Sequence, residues 1–456
     1  MRMRMIFIGR AFERIRLSSF QTIILGFSVL ILIGALLLTL PVAKAGAGNA
    51  NFLDALFTST SAVCVTGLVV QDTATYWSPF GQTVILCLIQ IGGMGVVTAA
   101  VAFAMVSGKK IGLMQRSTLQ EAISAHHVGG IVKLTGFILK TTLVIELIGA
   151  LLLGIVFSGD FGIFKGIWYG LFHSISAFCN AGFDLMGVNA QYSSLTGYTG
   201  NPLVNAVIML LIVIGGVGFL TWEDIKTNRW HFRAYRMQSK VILSTTAILL
   251  VLPALFFYFA EFSRPEWAGL STGERLLGAM FQSVTPRTAG FNTLDLTKLS
   301  EVGRFIIILM MLTGGSPGST AGGMKTTTLA VLFFSAISVF KRRETIRCFG
   351  RRIELDTVRS AATILMLYIV LFLTGGLAIS WIENLPVLTC LFEAASAIGT
   401  VGLTLGITPS LGAASRIILV LLMFFGRVGG LTLIFATASG KKPYAAMLPK
   451  EKITVG

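Results

Sequence analysis

The sequence predicts an all-α membrane protein made of four helix–pore-loop–helix repeats of parallel topology around a central pore. Three observations carry this. Hydrophobic residues make up 54% of the 456-residue chain and charged residues only 12%, where an average soluble domain carries about 25%. Long apolar runs occur near 20–41, 81–106, 134–157, 203–220, 241–260, 304–340, 359–380 and 415–438, and about 20 apolar residues suffice to cross the hydrocarbon core. A related short segment recurs four times between successive runs. So few polar residues cannot cover a soluble chain of this size, which excludes a soluble enzyme, a disordered chain, a coiled coil and a disulfide scaffold.

The first run follows Arg2 and Arg4 and precedes "AKA" at 43–45. It is longer than the hydrophobic core of a signal peptide, so it reads as a span and not as a cleaved leader. Orientation follows from the basic residues in the short loops. With the N-terminus inside, segments 1–19, 107–133, 221–240, 341–359 and 439–456 hold 25 of the 36 Lys and Arg, and the outside segments hold 8. Both termini are therefore expected in the cytoplasm, in a multi-pass protein of the cytoplasmic membrane. The net charge of +16 is a feature of topology and lipid headgroups, not a nucleic-acid surface. No loop is long enough for a soluble domain, so a regulatory domain is expected on a separate chain. The five cysteines form no CxxC pair and read as small apolar packing residues.

The repeat has two marks. The first is "LFTSTSAVCVTGL" at 56–68, "LFHSISAFCNAGF" at 171–183, "MFQSVTPRTAGF" at 280–291 and "LFEAASAIGTVGL" at 391–403. Each carries a Phe (57, 172, 281, 392) and a Gly nine or ten residues later. The second is "IGGMG" at 91–95, "IGGVG" at 214–218, "TGGSPG" at 313–318 and "FGRVGG" at 425–430. The expected units are 1–110, 111–235, 236–345 (with a broken second span) and 346–456. All four run in the same direction, unlike the inverted repeats of many carriers, and parallel units suit a central axis.

The short segment is helix-like for about 12 residues, too few to span. A stretch of irregular backbone follows, which membrane depth tolerates only inside protein or beside water. The reading is a re-entrant half-helix descending from outside, then an extended strand. The negative end of the helix dipole points inward and favours a cation. Gly permits a left-handed backbone close to an axis, and four such turns make a ring of carbonyl oxygens able to replace the hydration shell of a monovalent cation.

With these marks the chain resembles the potassium transporter superfamily that includes the membrane subunits of bacterial Ktr and Trk systems and the plant HKT proteins, and most resembles the Ktr-type membrane subunit. The resemblance covers about Ser18 to Ser439 and rests on the four loops, "RTAGFN" at 287–292, "GGSPGSTAGGMK" at 314–325 and "GRVGG" at 426–430. It implies potassium uptake through a filter formed by Cys64, Val65, Thr66 and Gly67; Cys179, Asn180, Ala181 and Gly182; Thr288, Ala289 and Gly290; and Gly399, Thr400, Val401 and Gly402. Gly67, where some sodium-favouring plant relatives carry Ser, fits potassium. Arg287 flanks the third loop, where a structural role is expected because its charge would repel the ions. The resemblance also implies no cofactor, no metal beyond potassium in the filter, a homodimer, and a cytosolic ring of nucleotide-binding regulatory subunits. Sodium dependence stays open. The basic segments 109–133, 226–240 and 341–359 read either as docking surfaces or as topology charge, and membrane lipids are the other expected partner.

The run 304–340 is too long for one straight span, and its centre is rich in Gly with one Pro, both helix breakers. Gly314, Gly315, Ser316, Pro317, Gly318, Ser319, Thr320, Ala321, Gly322, Gly323 and Lys325 form the expected gate below the filter, the place of an intramembrane gating loop in the resembling family. "GSTAGGMKT" at 318–326 nearly spells a phosphate-binding loop, but Met324 interrupts it and it follows a span. Arg427 completes the gate, as a fixed charge that raises a barrier to cations or as a donor to carbonyls of the broken loop. Lys325 and Glu146 either pair with each other or find other polar groups, and Glu146 is read as structural or as part of a cation site. His173 reads as a packing or hydrogen-bonding residue. His126, His127 and His231 fall in cytoplasmic loops. The alternative function is a secondary carrier for an organic solute. An intramembrane enzyme is not expected, on the reading that the spans hold no HExxH motif, no GxSxG elbow and no paired carboxylates, a reading that Gly314–Gly318 (GGSPG) corrects for the elbow pattern below.

Overall fold

A computed structural model describes residues 18–107, 111–123, 130–430 and 432. The N-terminal basic segment, His126, His127 and the C-terminal basic segment 439–456 lie outside the described residues.

The first repeat opens with α1 (Ser19–Leu38), started by a capping box in which the Ser18 side chain accepts from the Gln21 N–H and the Gln21 side chain accepts from the Ser18 N–H. The half-helix α2 (Phe52–Val63) follows, with the Asn51 side chain capping Leu53. Its second span is α3 (Pro79–Met94), with Pro at the first turn, and then α4 (Val96–Val106). A short connecting helix, α5 (Leu113–Ala122), leads to the second repeat: α6 (Ile131–Phe161), α7 (Ile163–Phe178), α8 (Pro202–Val217) and α9 (Phe219–Asn228). The third has α10 (Met237–Phe256), α11 (Thr272–Val284), α12 (Glu301–Leu312) and, after an irregular loop, α13 (Thr326–Phe340). The fourth has α14 (Leu355–Glu383), α15 (Val387–Gly399) and α16 (Ala413–Val428).

Among the described residues, four segments are long and apolar enough to cross a membrane alone: Ser19–Leu38, Ile131–Phe161, Met237–Glu261 and Leu355–Glu383. The runs at 81–106 and 203–220 are not straight spans. The pair α3–α4 bends by 97° and the pair α8–α9 by 95°. Each break falls on the last Gly of the second repeat mark, where Gly95 (φ 86°) and Gly218 (φ 98°) adopt a backbone that side chains disfavour. Gly429 (φ 87°) ends α16 in the same way. Hydropathy does not register this bend, because both limbs stay apolar.

The first helices are peripheral. On α6, Leu143, Leu147, Leu151 and Ile155 recur every four residues and are all exposed, a stripe suited to lipid. The core lies on the half-helices, where Phe57, Phe172, Phe281 and Phe392 are all fully buried. The recurrent Phe thus anchors each half-helix. The all-α expectation has one small departure. The segment between α13 and α14 folds as an antiparallel hairpin, β1 (Ile346–Cys348) with β2 (Arg351–Ile353), pairing Ile346 with Ile353. Its inward residues Ile346, Cys348 and Ile353 pack with Val241 and Ala330.

Candidate functional site

The four half-helices end at Val63, Phe178, Val284 and Gly399. Each strand then takes the same two-step backbone. The residue two before the repeat Gly is left-handed: Val65 (φ 52°), Asn180 (57°), Thr288 (65°) and Thr400 (51°). The Gly itself is also left-handed: Gly67 (89°), Gly182 (68°), Gly290 (80°) and Gly402 (93°). This conformation is unfavourable at Val and Thr, and it recurs in all four loops because the strand turns twice within three residues. The shorter third loop keeps the pattern, so its missing residue lies between Thr285 and Thr288.

The four glycines form a closed ring. A Cβ on Gly67 would come within 2.7 Å of the Ala181 carbonyl oxygen, on Gly182 of Ala289 O, on Gly290 of Val401 O, and on Gly402 of Thr66 O. Each loop therefore abuts the next in chain order, and the fourth abuts the first. No side chain fits at any of the four positions. The ring thus brings the carbonyl oxygens of Thr66, Ala181, Ala289 and Val401 against the four glycines.

Four hydroxyls brace the ring, and sequence reasoning passed over them. Ser61 Oγ accepts from Gly67 N–H and Ser396 Oγ from Gly402 N–H, both at 3.0 Å. Ser176 Oγ donates to Phe183 O at 2.7 Å, and Thr285 Oγ1 donates to Phe291 O. Each lies four residues after the recurrent Phe, a hydroxyl in all four repeats that was there to be read. Arg287 is buried with its guanidinium turned away from the strand, donating to Thr246 Oγ1 at 3.3 Å.

The second mark explains itself at the half-helix ends. Added Cβ atoms on Gly92, Gly215 and Gly426 would run into the carbonyls of Val63, Phe178 and Ile398. These glycines let the second helix of a repeat touch the end of its half-helix.

The loop 313–325 threads directly under the ring. Ser316 N–H donates to Gly216 O (3.0 Å), Thr320 N–H to Gly215 O (3.2 Å) and Gly323 N–H to Gly426 O (3.1 Å). Asn180 Nδ2 donates to Thr320 Oγ1 at 3.0 Å, and Thr320 Oγ1 donates to Phe178 O at 2.9 Å. Gly322 lies against the Thr400 side chain with no room for a Cβ, and Gly323 lies against Gly399 O. Gly314 N–H bonds back to Met324 O at 2.7 Å, closing the loop. Lys325 Nζ donates to Ala321 O (2.9 Å) and Gly322 O (3.4 Å). Arg427 donates to Thr320 O in the loop and to Gly92 O and Gly93 O in the first repeat. Pro317, Ser319 and Gly318 complete the turn, with Gly318 left-handed (φ 63°). Gly314–Gly318 also spells the G-x-S-x-G pattern of a nucleophile elbow, but Ser316 Oγ faces Thr326 Oγ1 (3.3 Å) and no histidine is among its partners. Beneath the loop is a cavity of about 260 Å³ lined by Lys325, Arg427 and Glu121.

Above the ring is a cavity, here called the vestibule, of about 100 Å³ lined by the four ring glycines and by Asp72, Asp184, Tyr192 and Thr404. Asp72 is spent on structure. It accepts from Ala74 N–H, Thr75 N–H, Thr75 Oγ1 and Tyr192 N–H. Asp184 accepts from Met186 N–H at 2.9 Å. Burial pushes its carboxyl up to about 6; the Met186 bond opposes this, the Asp72 charge adds to it and a bond from Ser194 opposes it. The vestibule contains two carboxylates and no Lys or Arg, a field that attracts cations.

Lys325 and Glu146 do not pair. Glu146 is buried and takes both hydrogen bonds from Gln90. His173 is buried, with Nδ1 2.7 Å from Tyr169 O and Nε2 3.4 Å from Leu185 N, a hydrogen-bonding and packing role. His231 is exposed.

The family model described as "Cation transport protein" (TrkH) matches residues 13–443. The potassium/sodium uptake protein NtpJ of Enterococcus hirae is 39% identical over 97% of this chain and 98% of its own. The Ktr system potassium uptake protein B of Bacillus subtilis is 40% identical over 93% of this chain and 94% of its own. Among solved structures, the potassium transporter TrkH from Vibrio parahaemolyticus superposes with a TM-score of 0.70 at 20% identity, covering 91% of this chain and 84% of that one; this likeness concerns the fold alone.

Proposed function

The chain belongs to the TrkH family of cation transport proteins, and from this premise we propose that it takes up potassium across the cytoplasmic membrane through one central pathway. The observation that carries the reading is the closed ring of Gly67, Gly182, Gly290 and Gly402. A cation gathers in the acidic vestibule, exchanges its water for carbonyl oxygens of the four strands, and meets the loop 314–325 below. That loop, held by Arg427 and Lys325, is the gate. The guanidinium keeps its charge, so it both fastens the loop and opposes a cation beneath the filter. Inward movement is driven by the membrane potential, about 2.3 kcal/mol per charge per 100 mV. Names of relatives that include sodium support testing sodium as well.

The four units 1–110, 111–235, 236–345 and 346–456 are the proposed repeats, with both termini cytoplasmic on the strength of the basic-residue distribution. Resemblance to the Ktr-type membrane subunit supports a homodimer working with a cytosolic nucleotide-binding ring. Segments 226–240 and 341–359, with the described part of 109–133, are the proposed docking surfaces.

The test is cation flux in proteoliposomes under an imposed potential, comparing potassium, rubidium, sodium and lithium. Potassium and rubidium should exceed sodium and lithium. Flux without that order, or none from folded protein supplied with its activated cytosolic partner, overturns the reading.

A further inference from the structure

Glu146 is a carboxylate on a peripheral helix that turns inward at the depth of the filter. It is only 5% exposed. Its two oxygens accept from Gln90 Nε2 of α3 at 3.1 and 3.2 Å. Ser174 of the second half-helix donates to the Glu146 backbone carbonyl at 2.6 Å, which fixes the turn of α6 that bears it. The sulfur of Cys179, the first residue of the second filter strand, lies 4.0 Å from Glu146 Oε1 and 3.7 Å from Gln90 Oε1. On the other side of Cys179 is Gly93, with no room for a Cβ against that sulfur. The Gly93 carbonyl accepts from Arg427 at 3.0 Å. A contiguous line thus runs from Glu146 through Cys179 and Gly93 to Arg427, with a carboxyl group at one end and a guanidinium at the other.

Among the described residues, no lysine or arginine hydrogen-bonds to Glu146. A carboxylate at this depth is expensive when no cation stands near it. The filter supplies one whenever it is occupied. Carboxylate charge and filter cation then stabilise one another, and by linkage each raises the population of the other.

We propose that Glu146 is a positioning residue for transport: held by Gln90 behind Cys179, it sets the cation affinity of the filter and offsets the repulsion from Arg427. This rests on the filter reading above. Gln90 aims the carboxylate by donating to both oxygens, and Cys179 is the side chain through which it acts.

The test uses the full chain and two readouts: half-saturation of rubidium flux in proteoliposomes, and stabilisation of the solubilised protein against heat by added potassium, which tracks binding. Glu146→Gln keeps the shape and an amide partner for Gln90 but removes the charge. Half-saturation should rise about threefold to tenfold in both readouts, the order expected for one charge lost in a partly screened interior. Adding Arg427→Gln should return it toward the wild-type value, which repair of packing would not do. Glu146→Asp, with its charge retracted by one methylene, should shift less in the same direction. It carries the test if Glu146→Gln does not fold. Unchanged half-saturation in either single variant overturns the proposal while the filter reading stands. Wild-type protein that fails to prefer potassium and rubidium over lithium overturns both.

Discussion

The guanidinium of Arg416 lies 2.7 Å from the carboxylate of Asp54, although 362 residues separate them. Asp54 opens the first half-helix and Arg416 opens the last span, so this pair joins the first repeat to the fourth and closes the four repeats into a ring. Both are held from other sides: Gln71 donates to Asp54, and Arg416 donates to Leu411 O and Pro409 O. Removing one partner leaves the other charge largely buried. Arg416→Ala or Asp54→Asn should cost roughly 2–4 kcal/mol, at or below the range for fully buried pairs because Arg416 retains some exposure. Thermal unfolding of the purified variants measures it; a melting temperature equal to wild type would mean that the pair does not close the ring.

At Gly402 the backbone is left-handed and a Cβ would strike the Thr66 carbonyl. Gly402→Ser should therefore abolish potassium flux or admit sodium. A loss of discrimination by about tenfold corresponds to roughly 1.4 kcal/mol, within the strain of about 1–3 kcal/mol for such a residue. Rubidium and sodium flux ratios decide this, and an unchanged ratio would contradict the filter assignment.

Ser61 and Ser396 hold two glycines of the proposed filter, Gly67 and Gly402, by their N–H groups. Ser396→Ala leaves the Gly402 N–H without that acceptor, a cost of about 1–3 kcal/mol. Selectivity should weaken while insertion into the membrane survives. Ser396→Thr should retain both. If Ser396→Ala selects potassium as well as wild type does, the hydroxyl is not a brace.

Arg427 fastens the loop to the first repeat through Thr320 and Gly93. Hydrogen bonds from a charged donor contribute about 1.5–3 kcal/mol each. Arg427→Gln should raise potassium flux at fixed potential by tenfold or more, because it frees the loop and removes a charge under the filter. Flux at or below the wild-type level in folded protein would refute its role as the latch.

The Asp184 carboxyl is pushed up to about 6 from its ordinary 3.8, chiefly by burial. The charged form, which attracts cations to the vestibule, is present above that value and lost as external pH falls through it. Half-saturation for potassium should rise between about pH 7 and pH 5. Asp184→Asn should raise it at neutral pH and flatten the profile. A variant profile as steep as wild type would assign the dependence elsewhere.

Much of this protein was legible in its sequence. Composition fixed the membrane class, because burial of apolar area and the scarcity of charge are sums over residues. The fourfold phasing of Phe57, Phe172, Phe281 and Phe392 with Gly67, Gly182, Gly290 and Gly402 exposed the repeat, since a left-handed site with no room for a Cβ demands Gly each time and each half-helix buries its Phe alike. The hydroxyls at 61, 176, 285 and 396 carried the same signal and were overlooked. The tertiary structure alone decided the rest. It bent the runs at Gly95 and Gly218, where hydropathy is blind to direction. It turned Arg287 to Thr246 and Glu146 to Gln90, and joined Asp54 to Arg416. These pairings depend on which faces of separate helices meet, and a partner hundreds of residues away leaves no periodic trace along the chain.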